Sequence, residues 1–72
     1  MYTIYSKDKC PQCDAAKMLL VIKGADHEVL KLDVDFTREE FVELFPKART
    51  FPMITKDGDY VGGLTELKEI LK

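Results

Sequence analysis

Two cysteines stand three residues apart in the run Cys10-Pro11-Gln12-Cys13. The thiolate of cysteine is the nucleophile of disulfide exchange. A spacing of three brings two side chains to one side of a helical turn, close enough to bridge. Pro11 suits the first turn of a helix, where its missing N–H is no loss. The β-branched and aromatic stretch Tyr2-Thr3-Ile4-Tyr5 lies just upstream and reads as a short strand. The pair is therefore expected where a strand hands over to a helix. A helix N-terminus carries free N–H groups and partial positive charge, which favour a sulfur there as thiolate. Cys10, at or just before the helix start, is expected to be the attacking thiol, with Lys7 and Lys9 adding nearby positive charge. Cys13, inside the first turn and more shielded, is expected to be the resolving one.

Other uses of two such cysteines are weaker. A structural zinc site wants four ligands, and His27 is the chain's one histidine. His27 itself reads as a surface residue at a loop. Packing alone would need neither Pro11 nor a strand-to-helix junction. A bridge between Cys10 and Cys13 closes a tiny loop and restrains the unfolded chain little, so its purpose is chemical rather than structural. Redox chemistry is the favoured reading, and no metal is expected.

The elements that must hold this pair follow from local signals. The first helix is expected from about Pro11 to Lys23, stopped by Gly24. Ala15, Met18, Leu19 and Ile22 follow helical spacing, and Ala16, Leu20 and Val21 widen the stripe, which predicts burial over much of this helix. Glu28 to Val34 alternates as a second strand. Strand, helix, strand in this length predicts a parallel pair with a right-handed crossover. Thr37 and Glu40 form a capping box, with Phe36 and Phe41 placed as a hydrophobic staple. Phe41, Leu44 and Phe45 make that helix's expected buried stripe, and Pro46 ends it. Met53 to Lys56 and Asp59 to Val61 flank Asp57-Gly58, a hairpin turn signal. Leu64, Leu67, Ile70 and Leu71 form a last short helix, with Thr65 as its expected N-cap. The order β-α-β-α-β-β-α is that of an α/β fold.

Composition bounds the rest. A chain of 72 residues is one domain, 1–72. Eleven Lys and Arg against 13 Asp and Glu give a charge of -2, no footprint for nucleic acid or for an anionic membrane surface. The longest apolar run, Met18 to Ile22, is far short of the ~20 residues of a membrane span. No basic leader with an apolar stretch follows Met1, so a cytoplasmic protein is expected. A monomer is the simplest reading. Two further local features stand out. Thr50-Phe51-Pro52 precedes an apolar strand; residue types alone favour a trans proline, cis being the minority form. Gly62-Gly63 precedes the last helix and is read either as a simple turn or as a backbone cradle for a carboxylate.

In this order and spacing, Lys7, Cys10-Pro11-Gln12-Cys13, Thr50-Phe51-Pro52 and Gly62-Gly63 resemble the glutaredoxin family across essentially the whole chain. One C-x-x-C is weakly specific, whereas the ordered set is strongly so. The resemblance implies a thioredoxin-like fold with a mixed four-stranded sheet and three helices. It implies a cis Pro52 facing the cysteines, and thiol-disulfide exchange with glutathione as co-substrate. Lys7 would then pair a glutathione carboxylate, with Arg49 as a second partner. Phe51, between Thr50 and Pro52, would offer backbone hydrogen bonds, and Gly63-Leu64-Thr65 would hold the γ-glutamyl end. Gln12 borders the same groove. Protein disulfides, ribonucleotide reductase being the usual family client, would be the substrates.

Two positions depart from the family pattern. Gln12 stands where Tyr is common, as in glutaredoxin-like redoxins that take electrons from thioredoxin reductase. Thr65 stands where Asp is common; Thr is able to cap a helix but not to pair the glutathione ammonium. The compact length is that of bacterial and phage forms. An iron–sulfur cluster shared by two chains is a second rival, and Cys13 argues against it because that role usually accompanies a single cysteine; a redox-inert interaction module on this fold is a third.

Overall fold

The computed structural model describes residues 1–48 and 51–71. Strand β1 (Tyr2–Ser6) leads into helix α1 (Pro11–Ile22), followed by β2 (His27–Lys31), α2 (Arg38–Leu44), β3 (Met53–Lys56), β4 (Asp59–Gly62) and α3 (Leu64–Ile70). The sheet order is β2-β1-β3-β4. β1 and β2 are parallel, while β1/β3 and β3/β4 are antiparallel. The sheet is therefore mixed, and the thioredoxin-like order β-α-β-α-β-β-α holds.

β1 runs near the middle of the sheet because both its faces are apolar. On one face Tyr2 and Ile4 join Ile54, Ala16 and Leu20 of α1, and Leu67 of α3. On the other face Tyr5 packs with Phe36, Phe41 and Met53, bordered by Phe45 and Phe51. Tyr5 lies 5.3 Å from Phe36 and 5.1 Å from Phe45 between ring centroids, both edge-on. Phe41 reaches Phe51 at 4.8 Å. Edge-on and tilted ring pairs add about 0.5–1.5 kcal/mol each beyond the area they bury. The buried Ser6 hydroxyl donates to the Leu30 carbonyl at 3.0 Å, so β1 also reaches β2 through a side chain.

Several expected boundaries shift, each for a local reason. α1 ends at Ile22; Lys23 is its C-cap and Gly24 turns left-handed at φ 66. Its buried residues are Cys13, Ala16 and Leu20, while Met18, Val21 and Ile22 are more than half exposed. The helix is apolar on several sides, so periodicity does not select a face; the sheet docks where Ala16 allows close approach. β2 stops at Lys31 rather than Val34. Asp33 takes φ 67, a left-handed geometry Asp tolerates, and the Lys31 N–H donates to the Asp35 carboxylate at 2.9 Å. His27 opens β2, half-buried, instead of lying in a loop.

In α2 the capping box forms: Glu40 N–H to Thr37 Oγ1 is 3.1 Å and Thr37 N–H to Glu40 Oε1 is 3.0 Å. The staple forms too, with Phe36 and Phe41 rings 5.7 Å apart. Leu44, however, is 64% exposed, so the buried stripe reduces to Phe41 with Phe45 beside it. The hairpin turn puts Asp57 and Gly58 at φ 52 and 89, as a two-residue primed turn requires. β4 extends to Gly62. The N-cap of α3 is Gly63, with no side-chain cap bond, and Thr65 sits inside the first turn instead. The Phe51–Pro52 bond is cis, against the trans form that residue types favour and in line with the family resemblance.

Replacing Thr37 with Ala removes one half of the reciprocal cap. The expected loss is about 1 kcal/mol on urea unfolding. An unchanged midpoint would show that the box adds nothing to stability.

Candidate active site

β1 ends at Ser6, and Lys7-Asp8-Lys9 turns the chain toward α1. Lys9 sits at φ 54, which swings the backbone into the helix start. Asp8 accepts an ion pair from Lys31 Nζ at 2.5 Å, tying this loop to the end of β2. The Asp8 hydrogen bond, then its charge, raise the Lys31 pKa above the ordinary lysine value. Both groups lie in solvent, so the tie positions the loop more than it stabilises the fold.

Cys10 is the N-cap of α1, with extended φ −120 and ψ 92, and Pro11 is the first helical residue. Its carbonyl accepts from the N–H groups of Cys13 at 3.1 Å and Asp14 at 3.2 Å. Its Sγ accepts from Cys13 N–H, also at 3.1 Å. The sulfur thus takes the place a Ser or Asp oxygen fills in an ordinary N-cap. Cys10 and Cys13 are joined as a disulfide with Cα atoms 5.2 Å apart, inside the normal range. Cys10 is 8% exposed and Cys13 4%, the order expected of an outer and an inner sulfur.

Two open hollows meet beside this pair. One is lined by Lys7, Lys9, Cys10, Pro11, Gln12 and Phe51. The other, a groove of about 370 Å³, runs from Gln12, Phe51 and Pro52 to Gly62, Gly63, Leu64 and Thr65. Gln12 and Phe51 belong to both. Lys7, Cys10, Gln12, Phe51, Pro52, Gly63, Leu64 and Thr65 are thus brought to one surface. Cys13 lines neither of these two hollows and instead lines, with Cys10, a third hollow that shares Lys7 and Lys9 with the first. Arg49 and Thr50 lie outside the described residues. Among the described residues, no three or more His, Cys, Asp or Glu side chains gather to hold a metal ion.

Sequence reasoning missed Lys47, Tyr60 and Glu66, which also line the groove. Glu66 had a signal: it follows Thr65 in the first turn of α3, where a carboxylate is favoured. Lys47 and Tyr60 had none, since only the folded hairpin and loop bring them together. Gly62 explains why glycine stands there. Its φ is 130, and a Cβ would lie 2.7 Å from Glu66 Cγ. Adjacent Gly63 has room for a Cβ, 3.5 Å from the Pro52 carbonyl.

A bridged cysteine pair at a helix start on this mixed sheet, its hollow shared with the Phe51 of a cis Phe51–Pro52 bond, defines a thiol-disulfide oxidoreductase of thioredoxin-like fold. Comparison with known proteins agrees. The family model described as Glutaredoxin matches residues 2–61. Glutaredoxin 3 of Escherichia coli strain K12 is 34% identical over 64 residues, covering 89% of this chain and 77% of its own length. The glutaredoxin of Enterobacteria phage T4 is 31% identical over 87 aligned positions, covering all of both chains. The crystal structure of glutaredoxin 1 from Francisella tularensis, complexed with cacodylate, superposes with a TM-score of 0.81 at 27% identity, over 94% of this chain and 87% of that one. The chain belongs to the glutaredoxin family. No helix among the described residues is long and apolar enough to cross a membrane.

Gly62→Ala is expected to lower stability more than Gly24→Ala. Both positions have positive φ, but a Cβ at Gly24 meets open space. Equal shifts in urea midpoint would show that the contact between residue 62 and Glu66 is not limiting.

Proposed function

We propose that the protein is a glutathione-dependent dithiol reductant of protein disulfides and of glutathione mixed disulfides. One observation carries the reading: Cys10 Sγ caps α1 and accepts the Cys13 N–H at 3.1 Å. In the reduced protein that bond would be to an anion, and charge-assisted bonds of this kind are about twice as strong as neutral ones. The helix start thereby favours the Cys10 thiolate at neutral pH.

The Cys10 thiolate attacks one sulfur of the substrate disulfide and releases the other as a thiol. Cys13 then attacks Cys10 Sγ, frees the second substrate thiol and closes the Cys10–Cys13 bridge. The substrate gains two electrons and the cysteine pair loses two. One glutathione reopens the bridge as a mixed disulfide on Cys10, and a second removes it as glutathione disulfide.

In this reading glutathione lies along the groove. Lys7 pairs its glycyl carboxylate, with Arg49 as a second partner, and Gln12 borders the tripeptide. Phe51 backbone groups, between Thr50 and Pro52, take its cysteinyl amide. Gly63, Leu64 and Thr65 hold the γ-glutamyl end at the start of α3. Glu66 supplies the carboxylate for the ammonium that Thr65 is unable to pair. The presence of Glu66 in the groove supports this assignment. Protein disulfides are the oxidants, ribonucleotide reductase among them. A second reading, reduction by thioredoxin reductase, rests on Gln12 at the position before Cys13.

Three measurements test these assignments. With bis(2-hydroxyethyl) disulfide and NADPH, turnover is expected with glutathione and glutathione reductase; turnover with thioredoxin reductase alone would favour the second reading. Cys10→Ser is expected to abolish activity, while Cys13→Ser keeps reduction of glutathione mixed disulfides, which needs one thiol. Protein-disulfide reduction by the Cys10→Ser variant would reverse the roles. Glu66→Gln is expected to raise KM for glutathione about threefold to tenfold with little change in kcat, the size of a weakened charged hydrogen bond. An unchanged KM would remove Glu66 from the site.

A further inference from the structure

We propose that the hollow on the Cys13 side of the active site receives an acidic segment of the protein substrate. The inference rests on the thiol-disulfide reading above and adds the class of polypeptide that the site recognises. This hollow, about 290 Å³, is lined by both Cys10 and Cys13, whereas the glycine-lined groove touches neither. Around the cysteines stand Lys7, Lys9, Lys17 and Lys31, against Asp8 and Asp14. Asp8 is already engaged by Lys31. That leaves Lys7, Lys9 and Lys17 exposed with Asp14, and of these Lys17 lines this hollow but not the hollow of Gln12 and Phe51, which Lys7 and Lys9 share.

The surplus is local. The chain as a whole carries -2, so the excess of positive charge beside the cysteines is set against a negative remainder. The glycine-lined groove has no such surplus, since Lys47 and Glu66 are its charged residues among those described, although Lys7 and Lys9 also line the hollow of Gln12 and Phe51 next to it. A protein disulfide that reaches past Cys10 toward Cys13 therefore meets a lysine-lined surface, continuous through Lys7 and Lys9 with the hollow of Gln12 and Phe51 and extended by Lys17 on the Cys13 side alone. An anionic segment is attracted and oriented by the lysine side, and a cationic one is repelled.

Lys17 is the residue that distinguishes this surface from the glutathione site. It lies four residues after Cys13 on α1, hence one turn along the same face, and helix side chains lean back toward the N-terminus. It lines this hollow and not the groove. Lys17 is a positioning residue: it touches neither sulfur in the chemistry and acts on the approach of the substrate chain.

The test uses pre-reduced protein in single turnover, with no recycling donor present. Three oxidants are compared: bis(2-hydroxyethyl) disulfide, and two disulfide-cyclised peptides that differ only in having Glu or Lys beside one cysteine. In each reaction the oxidant is reduced to thiols and the Cys10–Cys13 bridge forms. At low salt the Glu peptide is expected to react about tenfold faster than the Lys peptide, the gap closing toward unity at about 0.5 M salt. Lys17→Glu is expected to slow the Glu peptide about threefold to tenfold, speed the Lys peptide, and leave the small disulfide unchanged. Lys17→Arg should restore the wild-type pattern. Equal rates for the two peptides at low salt, or equal slowing of all three oxidants by Lys17→Glu, would overturn the proposal while leaving the exchange chemistry intact. Failure of the reduced protein to attack even the small disulfide would overturn both.

Discussion

A single sulfur held at the start of a helix is the constraint on which the rest depends. Cys10 occupies the N-cap of α1, and its Sγ shares the Cys13 N–H with its own carbonyl oxygen. The favoured charge on that sulfur is a property of position, not of cysteine itself. Position in turn depends on where β1 ends and how the loop turns. β1 is flanked by β2 and β3, buried on one face and half-buried on the other, so its end is a fixed point. Lys9 in a left-handed conformation and Pro11 at the first helical position then start α1 without delay.

The second support comes from the opposite face of the sheet. Phe51 precedes the cis-proline and belongs to the aromatic cluster, reaching Phe41 at 4.8 Å and Phe36 at 6.2 Å. The capping box of α2 fixes Phe41, and Phe41 supports the segment that borders the cysteines. Packing on one face thereby governs geometry at the site, although neither Phe41 nor Thr37 lines it. β4 and α3 close the groove through Gly62, whose backbone geometry and proximity to Glu66 leave no space for a side chain.

Much of this was legible in the residues. The element order, the capping box, the staple and the hairpin turn each have a local chemical signature, and each forms. The cysteine pair was legible because Pro11 and the preceding strand mark a helix start. What failed was anything that depends on which face a neighbour covers. Met18, Val21, Ile22 and Leu44 have helical spacing yet face outward, because a 72-residue chain has too little sheet to cover every apolar stripe. Thr65 looked like a cap because Thr is a good one, but the glycine before it already starts the helix. The turn at Asp33 ended β2 early, which alternation alone does not reveal. Lys47 and Tyr60 became site residues only through tertiary contact.

The surfaces near the cysteine pair differ in chemistry, one a groove with balanced charge and the other a lysine-rich hollow that holds both cysteines. The use of either in exchange presupposes that the Cys10 sulfur is a thiolate at neutral pH. The direct test is the rate of iodoacetamide alkylation of Cys10 against pH, in reduced Cys13→Ser protein, which retains the backbone N–H donor at residue 13. The account expects an inflection well below the ordinary cysteine pKa of about 8.5. An inflection at or above that value would show that the helix start does not favour the charged sulfur, and would contradict the account at its base.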